Sequence, residues 1–156
     1  MPTKRSRIVD FMTNNVWQTE HSVETTASVD FAWAYMSNVA NWDDPPAQFT
    51  LEGPFADGSS GTTEMPGQPK QQWFLRDVIP ATSYTIEFPL DRAVLYFKWS
   101  FATLPDARVR LTQRIVLEGE NAAAYLPVVQ QTFASSLRPG MERIAASIDA
   151  AHNSRS

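Results

Sequence analysis

The chain has 156 residues and no cysteine. Disulfide staples and thiolate metal sites are therefore excluded, and the composition is compatible with a reducing compartment. Histidine is nearly as scarce: His21 and His152 are the only two, and His152 sits in the C-terminal tail. That argues against a metal centre, and no cofactor is expected. No apolar run approaches the roughly 20 residues of a membrane span. The basic start, Met1 to Arg7, is followed by Ile8 and Val9 and then Asp10, well short of the roughly 7–15 apolar residues of a secretory signal. The expectation is a cytoplasmic protein with a loose arm over residues 1–14 and one domain over residues 15–152. A net charge of −4 argues against a general nucleic-acid binder. There is no Gly-x-Ser-x-Gly elbow for a nucleophilic serine. The segment Gly58 to Gly61 lacks the glycine pattern and lysine of a nucleotide loop. Asp43 and Asp44 stand beside Pro45 and Pro46, which reads as a helix end and loop.

What is abundant is apolar bulk, at 43% of the residues with five tryptophans. Between Asn121 and Ala151, large apolar residues fall at Leu126, Val129, Phe133, Leu137, Met141, Ile144 and Ile148. Steps of three and four mark one stripe on an α-helix. Asn121 is placed as its N-cap. Pro127 implies either a start near Tyr125 or a kink, and Arg138-Pro139-Gly140 implies a bend.

Most of the rest alternates with period two. In Val16 to Thr26, Trp17, Thr19, His21, Val23 and Thr25 share one face, while Gln18, Glu20, Ser22 and Glu24 share the other. This is the pattern of a half-buried strand, and it turns His21 inward with Trp17. Ser28 caps a short helix through Met36, and Asn38 to Trp42 forms a second helical piece. Six further strands follow, separated by Gly, Pro and Asp turns: Phe49–Phe55, Thr62–Met65, Gln71–Ile79, Ser83–Leu90, Ala93–Leu104 and Ala107–Glu118. Short turns make them antiparallel neighbours. Phe97 and Trp99 share a face of the sixth strand, and Gln113 lies on the apolar face of the seventh. Arg108, Arg110 and Arg114 take the opposite face, which reads as solvated.

The order of strand, two short helices, six-strand meander and long helix resembles the helix-grip fold of the polyketide cyclase/START superfamily, known also for the birch-pollen allergen. Val23-Glu-Thr-Thr-Ala-Ser-Val-Asp-Phe-Ala-Trp33 is similar to that family's strand-to-helix turn. Asn38-Val-Ala-Asn-Trp42 resembles its second small helix, Leu51 to Gly58 its Gly-rich strand turn, and Arg76-Asp-Val-Ile-Pro80 its strand ending in an acidic residue and proline. The resemblance covers Trp17 to Ala151. It implies an α+β fold in which a curved antiparallel sheet of about seven strands grips the C-terminal helix around an apolar cavity. Members bind lipids, sterols, polyketides or hormones, and some cyclise or dehydrate polyketides. A protein-binding branch also exists, and no motif here selects it.

The implied partner is a hydrophobic or aromatic small molecule, held by a carrier, a sensor or a cyclase-like protein. The candidate ligand-binding residues are Trp17, Trp73, Tyr84, Phe97, Trp99, Gln113, Val129 and Phe133. Aromatic walls with few polar groups suit such a ligand, although the same side chains also suit a packed core. His21 is the candidate catalytic residue, since an imidazole titrates near neutral pH and suits proton transfer. The alternative for His21 is a hydrogen bond within the sheet. Gln113 is positioned to orient a carbonyl, with Asp77 and Tyr84 completing a polar patch.

Overall fold

The structure, a computed structural model, describes residues 15–42, 44 and 46–154. The arm expected over residues 1–14 lies outside the described residues. The alternating first segment is strand β1 (Asn15–Thr25). Helix α1 (Val29–Met36) follows, with the Ser28 side chain accepting a hydrogen bond from the Phe31 N–H at 3.2 Å. A 3-10 turn covers Val39–Asn41. The meander runs through β2 (Gln48–Glu52), β3 (Ser60–Glu64), β4 (Gln71–Ile79), β5 (Ser83–Leu90), β6 (Ala93–Thr103) and β7 (Val109–Glu118). These seven strands make one curved antiparallel sheet in the order β1-β7-β6-β5-β4-β3-β2. The first and last strands of the sequence pair because the meander curls round to meet β1.

The C-terminal stripe forms two helices, α2 (Ala122–Phe133) and α3 (Leu137–Asn153). The break falls at residues 134–136, one turn ahead of the expected bend. In an unbroken helix the ring of Pro139 would collide with the carbonyl of Ser135. Ending α2 first removes that collision and places Pro139 in the first turn of α3, where no N–H is needed. Pro127 lies inside α2, which starts at Ala122 rather than near Tyr125.

Asn121 occupies the cap position, but its side chain does not cap. Its Nδ2 donates to the Asp91 carbonyl (2.9 Å), and its backbone N–H donates to the Arg92 carbonyl (2.9 Å). The Tyr125 hydroxyl accepts from the Asp91 N–H (3.0 Å). The start of α2 is therefore tied to the two-residue turn between β5 and β6. Gly119, at φ +118, makes this approach possible: a Cβ there would lie 2.6 Å from the Ala93 Cα.

Helix α3 lies against β1, and α2 touches β1 and β7. Their stripe meets the inner face of the sheet, where Leu111, Ile115 and Leu117 are sealed from water together with Met141 and Ile148 of α3. Burying each such side chain contributes about 1.5–3 kcal/mol. On the outer face the arginine stripe is paired across strands. Glu24 accepts from Arg110 (3.0 Å) and Arg108 (3.2 Å), and Glu20 accepts from Arg114 (3.0 Å). The two guanidiniums hold the Glu24 carboxyl below its ordinary range.

A polar tie fixes α3 to the far end of β1. Asp149 Oδ1 accepts from both the Thr26 N–H (2.8 Å) and the Thr26 hydroxyl (3.0 Å). Asp149→Ala is expected to lower stability by roughly 1–2 kcal/mol. A lower urea midpoint at unchanged slope checks it; an unchanged midpoint would show that the tie contributes nothing.

Candidate functional site

Between the inner sheet face and helices α1 and α3 lies a cavity of about 640 Å³. Strand register builds its floor. Tyr84 of β5 faces Trp99 of β6, Trp99 faces Gln113 of β7, and Gln113 faces His21 of β1. Directly opposed residues share a sheet face, so these four form one row across the concave side. The first three line the cavity.

The walls are aromatic. Trp42, just after the 3-10 turn, lies 5.4 Å from Trp73 between ring centroids at a 31° tilt. Its Nε1 donates to the Met36 carbonyl (2.8 Å), and the Trp73 Nε1 donates to the Thr63 hydroxyl (3.0 Å). Both indole N–H groups are thus used by the protein, which leaves apolar ring surface to the cavity. Tyr84 stacks on Trp99 at 6.2 Å and 18°. At the helix side Phe97 meets Phe133 edge-on at 5.4 Å. Ile86, Phe88, Met141 and Ile144 fill the remaining apolar wall.

Three polar groups of the floor make no hydrogen bond among the described residues: the Tyr84 hydroxyl, the Gln113 amide and the Trp99 indole N–H. Tyr84 is 1% exposed as a residue, and it borders the cavity. Among the described residues, the side-chain polar atom that is sealed from water without a partner is His152 Nδ1, outside this cavity. Burial pushes the Tyr84 hydroxyl far above the ordinary tyrosine range, so it stays a neutral donor and acceptor. At the mouth stand Asp44 and Arg143, both exposed.

Of the residues expected to bind ligand, Trp73, Tyr84, Phe97, Trp99, Gln113 and Phe133 line the cavity, whereas Trp17 and Val129 do not, and neither does His21, the candidate catalytic residue. Trp17 pairs with Leu117 near the start of β1 and packs on the core. Val129 is buried in the core on α2. His21 points inward as expected, but it belongs to the edge strand that α3 covers, and the cavity stops at Gln113. Asp77 does not join Tyr84 either: it is exposed, at φ +52, where the β4–β5 register shifts.

Trp42, Thr63, Gly140 and Arg143 were not among the expected site residues. Gly140 and Arg143 are one turn apart beside the helical stripe, and that spacing was the available signal.

A second, shallow groove between α1 and the end of α3 is lined by Asp30, Tyr35, Asn41 and His152. Phe31 meets the His152 ring edge-on at 5.1 Å there. The groove is open to solvent and lacks the aromatic enclosure. Among the described residues no cluster of His, Asp or Glu is fit to hold a metal ion. No described helix is long and apolar enough to cross a membrane.

No family model matches this sequence, and no curated protein is similar to it in sequence. Solved structures with the same fold do exist. Norcoclaurine synthase from Thalictrum flavum, in complex with dopamine and hydroxybenzaldehyde, aligns over 93% of this chain and 92% of its own. The TM-score is 0.67 and the identity 12%. The di-domain ARO/CYC protein StfQ from the steffimycin biosynthetic pathway aligns over 98% of this chain and 55% of its own, with TM-score 0.67 and 14% identity. A protein from Arthrobacter aurescens aligns over 85% of this chain and 86% of its own, with TM-score 0.64 and 17% identity. The chain therefore has the helix-grip fold that these structures share. At these identities the likeness concerns the fold and carries no residue roles.

Gly61 of β3 sets the position of one wall. A Cβ there would run into the Trp73 indole and lie 2.7 Å from the Thr50 carbonyl oxygen. Gly61→Ala is expected to cost about 1–3 kcal/mol through overpacking and to change the near-UV circular dichroism of the Trp42–Trp73 pair. An unaltered spectrum and midpoint would refute this account of the wall.

Proposed function

We propose that this protein binds an apolar or aromatic small molecule in the cavity between sheet and C-terminal helices, as a carrier or sensor. The observation that carries this reading is an aromatic-walled cavity of about 640 Å³ bordered by Tyr84 and Gln113, whose side chains make no hydrogen bond among the described residues. That volume lies within the range of about 300–1,000 Å³ typical of ligand sites. Aromatic walls supply apolar contact and stacking. Tyr84 and Gln113, one strand apart across Trp99, supply the hydrogen bonds that orient a ring oxygen or carbonyl. The neighbours of the same fold include proteins whose names point to aromatic small molecules and to a biosynthetic pathway, which agrees with this class of ligand.

The geometry gives less support to proton transfer by His21, as in a polyketide cyclase or dehydratase. The imidazole is outside the cavity lining, and no other group with an ordinary pKa near neutral borders it. A general acid or base has to reach the reacting proton before its pKa matters.

Native mass spectrometry of the purified protein, against a denatured control and with fatty acids, sterols and aromatic polyketides added, tests the reading. A retained or acquired one-to-one adduct is expected, and no adduct from any class would overturn it. Tyr84→Phe sharpens the test. Losing one hydrogen bond of about 1 kcal/mol should weaken an oxygen-bearing ligand about fivefold. The ligand-free protein should keep or gain thermal stability, because the deleted hydroxyl has no protein partner. Unchanged affinity together with lost stability would make Tyr84 a packing residue only.

A further inference from the structure

The described arginines divide unevenly. Arg76, Arg92, Arg108, Arg110, Arg114 and Arg138 each have a carboxylate within 4.0 Å. Arg143 has none among the described residues, and it is the arginine that lines the cavity. Its guanidinium folds back along α3: a Cβ built on Gly140 would lie 3.8 Å from Arg143 Nη2, and Gly140 borders the cavity too. The glycine leaves the wall open there, so the guanidinium reaches the mouth without a side chain in between. Asp44, also exposed, is the acidic residue among the described residues of the cavity lining, and no ion pair joins it to Arg143.

A guanidinium with five donors and no carboxylate partner among the described residues suits a planar or tetrahedral anion. We infer that the cavity selects ligands that are acidic at one end: the apolar ring system enters between the aromatic walls, and a carboxylate, sulfonate or phosphate stays at the mouth on Arg143. Asp44 then acts against such ligands by like-charge repulsion and limits their affinity. This rests on the cavity being a binding site, and it adds the charge of the ligand to that reading.

Two fluorescent probes separate the two claims. Anilinonaphthalene sulfonate and phenylnaphthylamine share their rings and differ in the sulfonate. In the native protein both are expected to bind, and Gly140→Leu, which fills the mouth, should abolish both. Arg143→Gln should weaken the sulfonate probe about fivefold and move the neutral one by less than about twofold, with Arg143→Lys restoring most of the loss. Asp44→Asn should tighten the sulfonate probe alone. Because the Arg143 side chain is exposed and has no protein partner, its variants should unfold at the native midpoint. The inference is overturned if the ratio of the two affinities is the same in native, Arg143→Gln and Asp44→Asn proteins. It is also overturned if Gly140→Leu leaves sulfonate binding intact. Failure of both probes to bind the native protein would overturn the cavity reading itself.

Discussion

A one-residue slip of β6 against β7 would turn Phe97 and Trp99 to solvent and separate Trp99 from Gln113, because side chains alternate faces along a strand. The cavity depends on that register. Pairing of Trp99 with both Tyr84 and Gln113 brings a stacked aromatic pair and an amide onto one line of the concave face. Two features hold the register. The inner sides of β6 and β7 bury Leu95, Phe101, Leu111 and Ile115, and their outer sides carry charge. On the same sheet, β1 and β7 add cross-strand ion pairs and the Ser22–Thr112 hydroxyl contact at 2.7 Å. Each exposed pair contributes little. A slip would nevertheless place arginines against the core while exposing leucines, and the sum of those costs is large.

The cover above the floor is two helices rather than one rod, with α2 ending at Phe133 and α3 starting at Leu137. Helix α3 runs against β1 and leaves the middle of the sheet to be faced by α1, the 3-10 turn and the beginning of α3. Outside the cavity lining, large rings stand edge to face on Tyr84: Trp33 at 6.0 Å and 73°, and Phe55 at 5.0 Å and 83°. Edge-on contacts are favourable for aromatic quadrupoles, and rigid rings collapse into a void less readily than flexible aliphatic chains.

Much of this was legible in the chain. Period-two alternation placed β1 and its faces within a residue, and the strands over Gln71–Ile79 and Ser83–Leu90 agree at both ends. Trp99, Tyr84 and Gln113 could be placed on inner faces by parity alone. Parity says which face a residue takes, however, and not which column of the sheet lies beneath a helix. Trp17 and His21 have the right face but lie on the edge strand that α3 covers. Val129 was correct as a stripe residue, yet the stripe's α2 half packs on the core rather than over the cavity. The helix break was misplaced by one turn because a proline acts on the carbonyl four residues before it. Asp77 was lost for another reason: a strand that ends at Ile79 gives no sign in its sequence of the register shift beyond Arg76 that turns the aspartate outward.

On the proposed reading, the lining suits holding a ligand. The side chains inside are mostly aromatic rings, with the Trp42 and Trp73 N–H groups already used by the protein, and aliphatic groups, together with a neutral amide and a phenol. Burial raises the cost of ionising that phenol, so Tyr84 is a poor proton donor to a developing anion and a good hydrogen-bond partner for a neutral oxygen. The charged groups, Asp44 and Arg143, stand at the rim, where water can still reach them. A ligand can therefore bury its rings without bringing any charge into the interior and avoid the desolvation cost that an internal ion pair would carry. Aromatic walls, two neutral orienting groups and charge confined to the mouth are what the proposed ligand would need: stacking surface, hydrogen bonds for a neutral oxygen, and no buried charge.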